Sequence, residues 1–231
     1  MRKTLQLGGL AAGAILIAFG VAAIVMSVNG RSTVSNSLKQ EQIVGTPDMT
    51  PAGIKTEAQK AGLKNISYPS CSVANTPVTT GATARCFAQY MQIHALEATG
   101  GFVYAQMGQY LAKPGTPKSQ LTPDGATSNT QYAQLDPKTK LPVANGARNV
   151  WVTETALTTA LNSSYMASQL ALFGIVVGIA LLLAGFGFAI LALGGALRRP
   201  ESQQDVVVGT TVSKTTVPPA PVPTRSRRSH D

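Results

Sequence analysis

Two histidines, His94 and His230, and two cysteines, Cys71 and Cys86, are all this chain has for imidazole or thiol chemistry. An iron centre of the two-histidine, one-carboxylate type needs both imidazoles on one metal. The topology argued below places His94 and His230 on opposite sides of a membrane, so that centre is not expected. Zinc held by Cys71, Cys86 and His94 would need reduced thiols in an oxidising compartment. His94 has the right type for a general base toward Ser67, Ser70 or Ser72, oriented by Asp48, Asp124 or Asp136. No GxSxG elbow and no fixed spacing supports that arrangement. His94 also falls within an apolar helical stripe, the usual setting of a packed histidine. The expectation is no catalytic residue, no cofactor and no metal. The two cysteines read instead as a structural Cys71–Cys86 disulfide, because both lie in an exported segment and no CxxC spacing suggests redox work.

The element that positions everything else is the run from Met166 to Leu197, which contains no Asp, Glu, Lys, Arg or His. About 20 apolar residues suffice to cross a hydrocarbon core roughly 30 Å thick. In lipid only a helix satisfies such a segment's backbone. A second apolar run, Leu5 to Val28, follows Arg2 and Lys3. Signal-peptide cores are usually about 7–15 residues, so this longer run reads as an uncleaved signal anchor. Arg2 and Lys3 before the first span, and Arg198 and Arg199 after the second, put both termini in the cytoplasm.

The expected division is a cytoplasmic N-terminus at 1–4, a transmembrane helix at 5–28 and an extracytoplasmic domain at 29–165. A second transmembrane helix follows at 166–197, then a basic, Pro-rich, disordered cytoplasmic tail at 198–231. The location is a bacterial plasma membrane. The net charge of +9 is spread over all three polar regions, with eleven Lys/Arg against seven Asp/Glu between residues 29 and 165. No dense basic stripe interleaved with aromatics exists, so nucleic acid is not an expected partner.

Within the exported part, Val34 and Leu38 share a face that would carry the first helix past the membrane. Thr50-Pro51 is an N-cap followed by a first-turn proline, and Gly62 is a stop signal. Ile66 and Tyr68 alternate as a short strand would. Residues 82–98 place Phe87, Tyr90, Met91, His94 and Ala98 on one helical stripe that Gly100-Gly101 ends. The stretch from Phe102 to Leu111 packs back on it. From Lys113 to Asn149 no period survives, which suggests a long loop acting as a mobile lid or a flexible excursion. Leu157, Leu161 and Tyr165 then predict a helix running into the second span, with a short β-branched strand near Val150–Thr155 as the alternative.

The fold class is mainly α: a two-span transmembrane helical hairpin with an α-rich, disulfide-stapled extracytoplasmic domain and a disordered C-terminal tail. Gly9, Gly13 and Gly20 recur at four and seven on the first span, and Gly174, Gly178 and Gly185 do the same on the second. Small residues at such spacing let helices approach closely in lipid. In an antiparallel hairpin Gly20 meets the level of Gly174 or Gly178, and Gly13 that of Gly185.

The segments HALEATGG (94–101), YAQM (104–107) and ARNVWVTETALTTAL (147–161), set between two spans, resemble a family of uncharacterised small actinobacterial two-pass membrane proteins. The likeness covers residues 5–199. It implies an envelope setting and no defined chemistry; a ring-opening dioxygenase label sometimes carried by such relatives conflicts with the histidine argument above. The expected function is non-enzymatic. An integral plasma-membrane protein would present its external domain to the cell envelope as a binding, scaffold or accessory module. Its partners would be the lipid bilayer and an envelope protein or cell-wall component. The alternative is a homo-oligomeric channel or transport subunit, which the lack of ionisable residues in either span disfavours.

Overall fold

The computed structural model describes residues 2–194, with side chains from Thr4 onward. Arg198, Arg199, His230 and the Pro-rich tail lie outside the described residues, as does the end of the second apolar run. Four helices account for most of the described residues: α1 (Arg2–Gln40), α2 (Pro51–Lys60), α3 (Gly81–Ala98) and α4 (Gly146–Leu193). No strand occurs among the described residues; the rest is single 3-10 turns and isolated β-bridges.

Helices α1 and α4 contain 39 and 48 residues. At the α-helical rise they are about 58 Å and about 72 Å long, well beyond the roughly 30 Å of a bilayer core. Both are long and apolar enough to cross a membrane. Each then continues, without a break, past its apolar section into the domain between them. In α1 that extension buries Leu38 and packs Val34 against the core, the face expected from their spacing. In α4 the helix begins far upstream at an Asn145 cap, so the β-branched run at Val150–Thr155 is helical. Packing of Trp151 and Leu161 outweighs the weak strand preference of those residues.

The apolar sections lie antiparallel on a seam of small residues. A Cβ added to Gly13 would sit 2.8 Å from the Gly185 carbonyl oxygen, and one added to Gly20 would sit 2.8 Å from that of Gly178. Gly174 faces the Ser27 side chain, with which a Cβ would collide. The contact residues repeat every seven positions: Gly13, Gly20 and Ser27 on α1, and Ala171, Gly178, Gly185 and Ala192 on α4, all buried. A seven-residue repeat is the spacing that keeps one helical face on its partner along a left-handed supercoil. Gly9 falls outside this repeat and is half-buried.

The domain between the helices is built on their extensions. Thr50 caps α2 by accepting a hydrogen bond from the Gly53 amide at 2.9 Å, and Gly62 leaves the helix with φ +69°. Thr80 and Thr83 form a reciprocal capping box at the start of α3. Gly100 and Gly101 end that helix at φ +64° and +85°, a left-handed conformation that favours glycine. Ile54, Ala58, Phe87, Tyr90, Ile93 and Leu161 make the centre of the core. The Ile66–Tyr68 stretch is not a strand: both side chains pack on the core from an irregular loop.

Residues 113–149 depart from the expectation of a lid or excursion. They fold back on residues 108–112 through the bridges Tyr110↔Thr127, Tyr110↔Ala144 and Ala112↔Ala133, and on themselves through Leu135↔Pro142. Each bridge is one residue long, interrupted by turns, so no period of two can emerge in sequence. Asn145 pins this knot to α4. Its Oδ1 accepts from the Ala147 amide at 3.2 Å, while its Nδ2 donates to the Gly108 carbonyl at 3.0 Å and to Asp124 Oδ2 at 2.7 Å. Burial pushes the Asp124 carboxyl up, and hydrogen bonds from Thr122, Ala126, Asn145 and Gly108 overcome this and hold it below its usual range.

Asn145→Ala removes a helix cap and strips two acceptors of their donor. The expected loss is about 2–4 kcal/mol, read as a lower unfolding midpoint of the detergent-solubilised protein. A midpoint unchanged by this substitution would mean that the knot is not anchored there.

Candidate functional site

Helix α3 carries His94 on its core-facing stripe, one turn after Tyr90. The loop before α2 brings Asp48 to it: His94 Nε2 lies 3.0 Å from Asp48 Oδ2. Glu97, three residues on in α3, sits 3.0 Å from His94 Nδ1. Glu57, from the middle of α2, completes the group, and one ligand atom each from Asp48, Glu57 and His94 lies within 4.8 Å of the others. Three carboxylates from three separate segments thus gather around one imidazole. Among the described residues, the only ion pairs within 4.0 Å are the two that His94 makes.

Asp48 is held by its own backbone. Its carbonyl accepts from the Thr50 amide at 2.6 Å, and Gly53 packs so close to that oxygen that a Cβ there would collide with it. On the α3 side, Tyr90 is completely buried and donates its hydroxyl to the Cys71 carbonyl at 2.6 Å. Burial, and then the Asp48 charge, raise the Tyr90 hydroxyl above its usual pKa, which keeps it a donor. Cys71 is joined to Cys86 on the first turns of α3. The disulfide and Tyr90 together tie the loop at residue 71 to the helix that bears His94.

This arrangement is not a nucleophile–base pair. No serine hydroxyl among the described residues hydrogen-bonds His94, and Ser72 donates instead to the Met49 carbonyl at 3.3 Å. Of the three aspartates weighed as orienting groups, only Asp48 reaches His94. Asp124 serves the knot, and Asp136 caps the turn at Lys138 and Thr139. The absence of a catalytic role for the histidine remains an expectation; Glu97 was within reach of the sequence through its i,i+3 spacing from His94 on α3, whereas no spacing points to Glu57.

A second feature lies between α3 and α4. Glu154 is buried at 6% exposure in the face of α4 turned toward α3, where Trp151 packs. It borders a cleft of about 630 Å³ lined by Arg85, Gln89, Gln92, Thr158 and Tyr165. Arg85 stacks on the Tyr165 ring at 4.6 Å, and no cation pairs with Glu154 among the described residues. Burial pushes the Glu154 carboxyl above its usual range, and hydrogen bonds from Thr155 and Thr158 only partly offset this. A carboxyl with a raised folded pKa favours the fold while protonated. That contribution is complete below the unfolded pKa and is lost as pH rises through the folded value.

Glu154→Gln is therefore expected to raise the unfolding midpoint near neutral pH and to flatten the decline in stability above the ordinary glutamate range. Unfolding curves across a pH series check this. A variant less stable than wild type near neutrality would reveal a favourable partner for the ionised carboxylate.

Cys71 and Cys86 are bonded. Gly13, Gly20, Gly178 and Gly185 face one another in pairs, Gly174 faces Ser27, and Gly9 stands apart. Arg2 and Lys3 lie in the first turn of α1. Comparison with protein-family models, with curated proteins and with solved structures finds no match.

Proposed function

We propose that this chain is a two-pass plasma-membrane protein that holds a small, rigid binding domain at the outer face of the membrane, as a non-enzymatic scaffold or accessory module of a bacterial envelope. Membership of the actinobacterial family noted above is part of this proposal. The observation that carries it is the continuity of α1 and α4. The two membrane-length helices do not end at the apolar boundary but run on into the domain, where Leu38 and Leu161 enter its core. A domain joined to its spans by unbroken helices has a fixed height and orientation. That suits presentation of a surface to a partner.

The channel reading has less support. The seam glycines Gly13, Gly20, Gly174, Gly178 and Gly185 pack against the other span of the same chain, while large side chains such as Leu7, Phe19, Phe173 and Leu183 are exposed on the helix flanks, as lipid-facing residues are. The test is crosslinking of intact cells followed by mass spectrometry, alongside reporter fusions at Asp124 and after Asp231. The expected result is crosslinks from residues 29–165 to an envelope component, with an exported reporter at Asp124 and a cytoplasmic one at the C-terminus. A cytoplasmic reporter at Asp124, or crosslinks confined to copies of the same chain together with conductance in planar bilayers, would overturn it.

A further inference from the structure

We propose that Asp48, Glu57 and His94 bind a single divalent transition-metal ion, with Glu97 holding the imidazole in the ligating form. This goes beyond the scaffold reading and does not depend on which side of the membrane the domain faces.

The first argument is an unmet need for a partner. His94 Nε2 and Asp48 Oδ2 are 3.0 Å apart, yet neither makes a hydrogen bond, because the two atoms are not aligned as donor and acceptor. Both atoms are also cut off from solvent. Buried polar atoms are normally satisfied, and leaving one bare costs free energy. An ion bound at about 2.0–2.2 Å from each would satisfy both at once, since two ligands of one tetrahedral ion lie roughly 3–3.5 Å apart. Glu57 already brings a carboxylate oxygen within 4.8 Å of a ligand atom of His94 and of Asp48, so a small adjustment closes the set.

The second argument is the tautomer. Glu97 Oε2 lies 3.0 Å from His94 Nδ1 in hydrogen-bonding geometry. A carboxylate there accepts the Nδ1 proton and leaves Nε2 unprotonated, with its lone pair available to a metal ion. The carboxylate–histidine–metal relay of metalloproteins has this form, and it fixes the ring as well as raising its basicity.

Charge is the third argument. Three carboxylates surround one imidazole, and no Lys or Arg pairs with any of them among the described residues. Even a protonated His94 would leave excess negative charge, which a divalent cation neutralises. One imidazole with two carboxylates suits zinc or manganese better than calcium, which takes oxygen ligands alone. The side chains of His94, Asp48 and Glu97 keep 26%, 22% and 17% exposure, so the ion has an entry path and room for water as a further ligand.

The test uses full-length protein in detergent, stripped with a chelator and titrated with Zn2+. The expected result is one ion per chain, with Ca2+ unable to compete. Asp48→Asn/Glu57→Gln and His94→Gln should each weaken Zn2+ by more than roughly 100-fold. Glu97→Gln, which touches no metal, should weaken it by about 10- to 100-fold. His230→Ala should leave binding unchanged. A cooperative thermal unfolding transition like that of the wild type reports whether each variant is folded. Independently of any variant, X-ray absorption of the Zn2+-loaded wild type should show one nitrogen ligand and otherwise oxygen. Failure of the wild type to bind Zn2+ at micromolar concentrations, a sulfur or second imidazole ligand, or unaltered binding in a folded ligand variant would each overturn the proposal.

Discussion

Gly178→Leu is expected to force α1 and α4 apart and to destabilise the protein by about 3 kcal/mol or more, the upper end of the range for overpacked contacts. A Cβ at Gly178 would lie 2.6 Å from Ile24 Cγ1 and 2.8 Å from the Gly20 carbonyl oxygen, and Leu adds three more heavy atoms beyond it. Backbone cannot yield as a flexible side chain can. Lipid offers no hydrophobic drive to hold displaced helices together, so lost packing is not recovered elsewhere. Gly187→Leu is the matched control: nothing lies within 4 Å of a Cβ there. Combining Gly20→Leu with Gly178→Leu should cost less than the sum of the two, since both obstruct one contact. Thermal unfolding in detergent measures all four variants. If Gly187→Leu proves as damaging as Gly178→Leu, the seam does not set the pairing and glycine content alone matters.

The seam shows where sequence reasoning reached and where it stopped. Glycine spacing placed Gly13 nearest Gly185 and Gly20 at the level of Gly174 or Gly178, because antiparallel register is a matter of counting; the packing selects Gly178 and sets Gly174 against Ser27. The true period of seven was harder to see, since Ser27, Ala171 and Ala192 complete it and none is a glycine. Small residues act by what they lack, so Ser and Ala serve as well as Gly where the approach is a little wider. The helix caps were legible for a similar reason. Thr50-Pro51 and Gly100-Gly101 signal through local backbone chemistry, which needs no knowledge of distant residues.

The knot at residues 113–149 and the His94 cluster were not legible, and for opposite reasons. In the knot every bridge is one residue long, so a segment full of Pro and Gly carries no periodic signal although Thr127 and Asn145 are buried. In the cluster the residues are ordinary surface types drawn from a loop and two helices. Asp48 and Glu57 meet His94 only because the α2 cap and the closed loop at Cys71 bring those segments together. The same continuity changes how the domain boundaries are understood. Positions 29 and 165 mark changes in polarity, not joints, because α1 and α4 pass through both without interruption. A change in spacing at the seam is thereby carried along rigid helices to Leu38 and Leu161 in the core.

Loss of the Cys71–Cys86 bond is the second large effect. The cysteines are 15 residues apart in sequence, and a crosslink closing a loop of that size stabilises by about 3 kcal/mol in the chain-entropy account. Small domains have only about 5–15 kcal/mol in total, so this is a large fraction. The loop it closes is not idle chain. Val73 and Val78 are buried, and the Val73 and Val78 amides donate to the Met49 and Ile43 carbonyls. Freed of the bond, that loop must be ordered by these contacts alone, and the Cys71 carbonyl that receives the Tyr90 hydroxyl gains freedom to leave it. The segment from Ile43 to Met49, which leads into Asp48 and the α2 cap, loses its neighbour at the same time. Cys71→Ala/Cys86→Ala and reduced wild type should therefore show the same drop of about 3 kcal/mol in denaturant unfolding, with Tyr90→Phe in the bonded protein costing a separate 1–3 kcal/mol or so for the unpaired carbonyl. A drop under about 1 kcal/mol in both bond-free forms would show that packing of Val73 and Val78 orders the loop unaided.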